Sequence, residues 1–388
     1  MQFLVHGAER TGPPIFLLRL LQQWATSPAA IDPRVVLARG GALQGEFSKV
    51  APTSTAGLHR RSPERLVQRA LGAAHLASAG SAVVAAATRR RVGSTRADLT
   101  VVNGATAPTA ELLGALSPPG EVVLIAHELS TGWFENLAPP QRDLLLARTD
   151  RYLAVSRCVA SFLHDDLAIP AERVTVTRPP VPHRIGRRRD ETGRPYDGVR
   201  RCRPEVVIGG AGVHDWRKAP ELWLQLAARL RDRVGPGQVK FVWFGGHERG
   251  AEPAWPIRHE VRALGLEDDV EFAGEVDDFV QRLDAVDVFV TTAREDAYPL
   301  VCAEAAAAGV PVVAFGGGGA EELVTDARCG RAVPYPDLDA MADAAVELAH
   351  DEPLRRRLGD NGRQFARDHF DPTSVAAHVE RWLLRGAA

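Results

Sequence analysis

The stretch REDAYPLVCAEAAAAGVPVVAFGGGGAEE, Arg294 to Glu322, places one acidic residue just ahead of a proline and a second after a run of helix formers. Pro299 suits a first helical turn, and the residues after it favour continuation of the helix. The backbone around Ala297, Tyr298, Pro299, Leu300 and Val301, with its free N–H groups and the helix dipole, would favour a diphosphate. Asp296, with Glu295 as its neighbouring alternative, could accept hydrogen bonds from sugar hydroxyls beside that phosphate site. Glu304, about one turn further on, suits a vicinal diol, because a carboxylate accepts through two oxygens as a ribose offers two hydroxyls. A dipole or capping role explains the same acidic residues without any ligand. Gly316 to Gly319 would let the backbone approach a ligand closely, or form a flexible turn.

Three further sets of residues have chemical potential. In VVIGGAGVHDWRKAPELW, Arg217 and Lys218 follow a short apolar run, although Arg217 fits a plain surface position equally well. The glycines there lack the third spaced glycine of a dinucleotide fingerprint. In GAERTGPP, Gly7 to Pro14, Gly12 stands between an apolar run and a helical pattern, where backbone N–H groups could meet a phosphate or an acceptor, or simply turn the chain. His127 follows VVLIA and is either a ligand contact or a structural strand-end histidine.

Elements that could position these residues recur along the chain. Short runs rich in Val, Leu and Ile lie at Phe3 to Val5, Val35 to Ala38, Leu99 to Val102, Val122 to Ala126 and Tyr152 to Val155. A second series lies at Val206 to Ile208, Phe241 to Phe244, Val270 to Phe272, Val286 to Val290 and Val312 to Phe315. Helical patterns separate them, such as the stripe of Ile15, Leu18 and Leu21 with Leu17 and Leu20. Alternation of this kind predicts parallel sheets covered on both faces, so each series reads as a Rossmann-like domain. The expected divisions are an amino-terminal domain over 1–185, a basic linker over 186–204, a carboxyl-terminal domain over 205–368 and a final helix over 369–388. Facing one another, two doubly wound domains would turn their ligand loops to a central cleft.

The bulk numbers narrow the classes. With 388 residues, two domains are the default expectation. The 47 basic and 49 acidic residues give a net charge of -2, which provides no overall field for nucleic acid. The four cysteines are far apart and form no C-x-x-C, against a zinc site or a disulfide framework, and the amino terminus lacks a signal pattern. A cytoplasmic protein is expected. Ala70 to Thr88 is uncharged but composed largely of Ala, Gly and Ser, which reads as a helix of the domain and not a membrane span. Arg60, Arg61, Arg65, Arg69 and Arg89 to Arg91 leave a peripheral contact with anionic lipid open, with solvated helix faces as the plainer reading. The eight arginines of Arg184 to Arg203 have linker composition.

Asp296 and Glu304, seven residues apart and followed by AAAAGVPVVAF and GGGGAEELV, are similar to the E-x7-E segment of the retaining family-four glycosyltransferases of the GT-B fold. The resemblance continues through LAVSRCVASFLHDDLAIPAERVTVTRPPV, VEFAGEVDDF and RDHFDPTSVAAHVERWLL, and is patchy before residue 120. It departs from the common pattern at Asp296, where that pattern has Glu, and at Val213, where it has Arg. The resemblance implies that Lys218, with Arg217 as a second cation, meets the donor diphosphate, that the acidic position and adjacent amides meet the donor sugar, and that Glu304 binds the nucleotide ribose. It also implies that His127 faces the sugar, that Gly12 belongs to the glycine loop of the first domain, and that the last helix crosses back to that domain.

The implied reaction is transfer of a hexosyl-type group, with retention, from a nucleoside diphosphate sugar of the UDP or GDP type to an acceptor of unknown identity. Charge stabilisation by Arg217, Lys218 and helix N–H groups, with the sugar oriented by His127 and Asp296, demands neither a metal nor a cofactor. The alternative is a GT-B protein that binds the nucleotide sugar without turnover, suggested by Asp296 and Val213. An NAD-dependent oxidoreductase would need a complete phosphate fingerprint, which the sequence lacks.

Overall fold

The computed structural model describes residues 1–26, 30–57, 63–73, 77–93, 97–182, 206–246, 252–277 and 279–385. They form two compact units, one of Met1–Pro180 with Pro372–Ala388 and one of Val181–Asp371. The expected linker over 186–204 and its arginines lie outside the described residues, as do Arg60 and Arg61.

The first unit is built on seven strands: β1 (Gln2–Val5), β2 (Arg34–Leu37), β3 (Thr53–Thr55), β4 (Leu99–Asn103), β5 (Glu121–Ala126), β6 (Arg151–Ala154) and β7 (Val174–Val176). All neighbours pair in parallel, in the order β3-β2-β1-β4-β5-β6-β7. β1 and β4 are buried along their whole length, as continuous apolar runs covered on both faces should be. The helix Gly12–Thr26 buries Leu17, Leu18, Leu20 and Leu21 of the expected stripe, together with Phe16 and Trp24, and leaves Ile15 half-buried.

The second unit holds β8 (Val206–Ala211), β9 (Val239–Phe244), β10 (Val270–Gly274), β11 (Val288–Thr291), β12 (Val312–Phe315) and β13 (Gly330–Val333). Their order is β10-β9-β8-β11-β12-β13, again all parallel. Each sheet reverses its winding direction at one place, between β1 and β4 and between β8 and β11. The strand ends flanking that reversal are where doubly wound sheets bind ligands.

The chain returns to the first unit through the helix Pro372–Leu384, which buries Val375, Ala376, Val379 and Leu383. Trp24 Nε1 donates to the Ala376 carbonyl at 3.2 Å, and Trp382 Nε1 to Thr175 Oγ1 at 3.0 Å. The Arg151 guanidinium lies 4.5 Å from the Trp382 ring centre and donates to the Trp382 carbonyl at 2.8 Å. The crossing helix that the resemblance implies is therefore present.

The described residues of Ala70 to Thr88 fall in the helices Pro63–Ala73 and Ala77–Val92. Among the described residues no helix is long and apolar enough to cross a membrane. Within the Arg89 to Arg91 triplet, Arg89 donates to the Ala115 carbonyl and Arg91 pairs with Glu64 at 2.5 Å, so two of its charges serve the domain itself.

Candidate functional site

In the second unit the loops after β8 and β11 flank the reversal and are stapled to each other. Thr292 Oγ1 donates to the Ala219 carbonyl at 3.0 Å, and the Arg294 N–H donates to the Arg217 carbonyl at 2.8 Å. The Arg294 guanidinium donates to the Trp216 carbonyl, meets Glu221 at 2.7 Å and stacks 5.2 Å from the Trp216 ring centre. Lys218 Nζ forms an ion pair with Asp296 Oδ2, and these side chains are 14% and 11% exposed. Such a pair holds both charges in place at the strand ends. Lysine carries three N–H donors, so one bond to Asp296 leaves two that an incoming anion could use.

Local sequence explains the stapling. Gly212 has φ +154° and lies against the Lys218 side chain, where a Cβ would come within 2.9 Å of Cγ. Asp215 Oδ1 accepts the Lys218 N–H at 2.8 Å, closing the turn that presents the ammonium. Arg217, the other expected cation, is separate: its guanidinium stands 3.9 Å from Asp215 and is 36% exposed. Val213, at the position of the missing arginine, is 42% exposed.

The helix Leu300–Ala308 begins beside Asp296, and among the described residues no side chain caps its amino end. Its first backbone acceptor is the Pro299 carbonyl, which takes the N–H groups of Cys302 and Ala303. Those of Leu300 and Val301 thus precede the hydrogen-bonded ladder, as the first donors of a helix do. Pro299 has no N–H, so it can contribute only shape to an anion site. Ala297 and Tyr298 are each 8% exposed, and Tyr298 packs edge-on against Phe370. Glu304 is 6% exposed. Burial drives the Cys302 thiol well above its usual range, with Asp296 adding to the rise, Lys218 opposing it, and Cys329 and Glu304 contributing further. Asp296, Lys218 and Glu304 therefore act on one buried neighbourhood.

Two features of the motif serve packing. Gly318 and Gly319 press on the Asp296 to Tyr298 loop: the Gly319 N–H donates to the Asp296 carbonyl at 2.9 Å, and a Cβ on Gly319 would overlap the Ala297 carbonyl. The close approach expected of the glycine run is thus made, at these two positions, to the protein's own backbone. Gly317, with φ +93° and nothing within 4 Å of a built Cβ, faces open space. The alanine run lets the helix Glu352–His369 lie close, where a Cβ on Gly362 would come within 2.8 Å of the Ala306 carbonyl.

In the first unit His127 stands at the end of β5. Its Nε2 lies 3.0 Å from Asn103 Oδ1, while Asn103 Nδ2 donates to the Pro13 carbonyl at 2.9 Å. Asn103 therefore presents an acceptor, so His127 donates through Nε2 and keeps Nδ1 as an acceptor. Burial, with His6 adding to it, pushes His127 down to about 3, so the ring is neutral at pH 7. Glu128 ties this corner by accepting the N–H groups of Ala105 at 2.7 Å and His127 at 3.1 Å. Gly12 opens the helix Gly12–Thr26, and a Cβ there would meet nothing within 4 Å.

Lys218 and Asp296 are thus directly paired, Glu304 shares their neighbourhood, and Arg217 turns to Asp215. Sequence reading missed Thr292 and Arg294 as loop staples and Asn103 as the residue that orients His127. Only their positions at strand ends could have signalled them.

Residues 204–365 match the family model described as glycosyl transferases group 1. The D-inositol 3-phosphate glycosyltransferase of Stackebrandtia nassauensis is 30% identical over 258 residues, covering 61% of this chain and 55% of that protein. The N-acetyl-alpha-D-glucosaminyl L-malate synthase of Bacillus anthracis is 29% identical over 31% of this chain and 32% of its own. The chain thus spans about a third to about half the length of these curated relatives. Sucrose-phosphate synthase from Thermosynechococcus elongatus superposes with a TM-score of 0.76 at 18% identity, over 100% of this chain and 99% of that one. Anabaena HepE in complex with UDP and glucose does so at 0.73 and 17%, over 99% and 100%. The fold is that of these GT-B proteins.

Proposed function

We propose that the chain is a retaining, metal-independent glycosyltransferase that moves a hexosyl-type group from a nucleoside diphosphate sugar, of the UDP or GDP type, to an acceptor hydroxyl or another nucleophile. The observation that carries this reading is the Lys218–Asp296 pair at the β8/β11 reversal, beside a helix start with no side-chain cap. The family match over residues 204–365 and the UDP complexes of HepE support it.

In this reading the diphosphate lies against the N–H groups of Leu300 and Val301 and the ammonium of Lys218, with Arg217 as an outer cation. Glu304 accepts from the ribose hydroxyls. Asp296, held by Lys218, accepts from the donor sugar. The bond from the anomeric carbon to the phosphate oxygen breaks and its electron pair leaves with the nucleoside diphosphate. The acceptor oxygen bonds to the anomeric carbon on the same face, and its proton passes to the leaving phosphate. Lys218 stabilises the charge that develops on that phosphate.

The test is a panel of UDP, GDP, ADP and dTDP sugars, read by thermal shift and by donor hydrolysis or transfer. At least one donor should stabilise the protein and turn over, with loss in Glu304→Ala. Stabilisation without turnover would support a binding protein, an outcome Val213 in place of arginine makes worth separating. No stabilisation by any donor would sink the site assignment.

A further inference from the structure

We propose that the loops ending β1 and β2 form a cradle for a neutral, polyhydroxylated acceptor, held by His6, Glu9, Thr11 and Arg39. The proposal rests on the glycosyltransferase reading and names the chemical class of its second substrate.

Four buried polar atoms lie in these loops: Nδ1 of His6, Oε2 of Glu9, Oγ1 of Thr11 and Nε of Arg39. Each is sealed from solvent and has no hydrogen-bond partner among the described residues. Buried polar atoms are nearly always paired, so four within two neighbouring loops mark a place where water or a ligand supplies the partners. The charges themselves stand apart. His6 Nε2 lies 3.9 Å from Glu9 Oε2, and Arg39 Nη2 lies 3.9 Å from Glu9 Oε1. Such separations are too long for direct hydrogen bonds and leave these groups able to serve a ligand.

The cradle is built and not merely left open. The Leu43 N–H donates to the Ala8 carbonyl at 2.7 Å, clamping the second loop to the first. A Cβ on Gly41 would come within 2.5 Å of the Ala8 carbonyl carbon, so only glycine allows that contact. A Cβ on Gly7 would overlap the Glu9 carboxylate, which folds back over this residue.

Its charge selects the ligand. Glu9 offsets Arg39, and burial holds His6 below its usual range against the pull of Glu9, with Arg39 helping to keep it neutral. A phosphate would face the Glu9 carboxylate with one compensated cation. A diol instead finds donors at Arg39 and Thr11 and acceptors at Glu9, His6 and Thr11.

The full chain is tested by ligand-observed NMR and acceptor kinetics with myo-inositol, glucose and glycerol, each against its monophosphate. A neutral polyol should bind and accept the sugar, and Glu9→Gln and Arg39→Gln should raise its KM about tenfold or more. Glu46→Gln, on the exposed side of the helix Gln44–Val50, is the control and should leave that KM at the wild-type value. Thr11→Val carries the same test should Arg39→Gln fail to fold. Preference for the monophosphates, no polyol binding, or an unchanged KM in the variants overturns the cradle. If no donor is bound or hydrolysed, the glycosyltransferase reading fails, and NMR binding of the polyols, which needs no turnover, still decides the cradle.

Discussion

The loops after β8 and β11 flank the strand reversal of the second sheet and those after β1 and β4 flank that of the first, with the β5 loop one strand further on, but they are held by opposite means. In the second domain an ion pair, Lys218 with Asp296, sits among loops stapled by the guanidinium of Arg294. In the first, His127 is held by a neutral amide, Asn103, that is itself anchored to the Pro13 carbonyl. One topology therefore offers a charged corner in one sheet and a nearly neutral one in the other. Strand order determines where a site can form, and the side chains of the loops determine what it can hold.

The charged corner should be the more sensitive of the two. Lys218→Ala removes the cation and leaves Asp296 buried without it, so donor kcat/KM should fall on the order of 1000-fold. Urea melts should show a loss of about 3 kcal/mol, because the pair is largely buried. A fall of less than about tenfold in kcat/KM would remove Lys218 from the chemistry. Next in size, Glu304→Ala should weaken donor binding about 30-fold, equivalent to about 2 kcal/mol for a hydrogen-bonded carboxylate. Titration of the bound nucleotide by calorimetry checks this.

Gly319→Ala separates packing from ligand contact. The new Cβ would push on the Ala297 carbonyl and cost about 1 to 2 kcal/mol of stability, with donor KM rising as the Asp296 loop shifts. Gly317→Ala tests the open side, where φ +93° should cost less than about 2 kcal/mol. If Gly319→Ala melts like wild type, the close approach is not required.

The neutral corner makes the smallest prediction, a dependence on pH. The folded His127 sits at about 3, below its ordinary 6.5, so the unfolded chain binds the extra proton between those values. Its contribution is present at neutral pH and is lost as pH falls from 6.5 to about 3. His127→Leu should therefore lose less stability than wild type between pH 7 and pH 4.5, measured by urea midpoints. His6 is lowered in the same direction and leaves part of the slope in that variant. An equal slope in both proteins would mean that His127 is not held neutral.

Much of the fold was legible because the central strands are buried on both faces and must be continuous apolar runs. The strands that escaped notice, β3, β7 and β13, lie at sheet edges and include the polar Thr53–Thr55 and Gly330–Val333. Half-buried edges impose no apolar pattern. The final helix was readable from Val375, Val379, Trp382 and Leu383 at helical spacing, of which all but the half-buried Trp382 are buried.

The candidate site was legible in part. The acidic positions and the proline-led helix could be picked out from residue type and spacing, and Lys218 from the resemblance of its segment to the family. The purpose of Gly318 and Gly319 could not, because a glycine's neighbour is a long-range contact. Sequence alone determined two series of buried strands, the helix start after Asp296, the positions of Lys218 and Glu304, and the apolar face of the last helix. Only the tertiary structure decided that Lys218 meets Asp296 and Arg217 meets Asp215. It also decided that His127 is neutral and that four polar atoms of His6, Glu9, Thr11 and Arg39 lack partners among the described residues, because each depends on residues that local spacing cannot bring together.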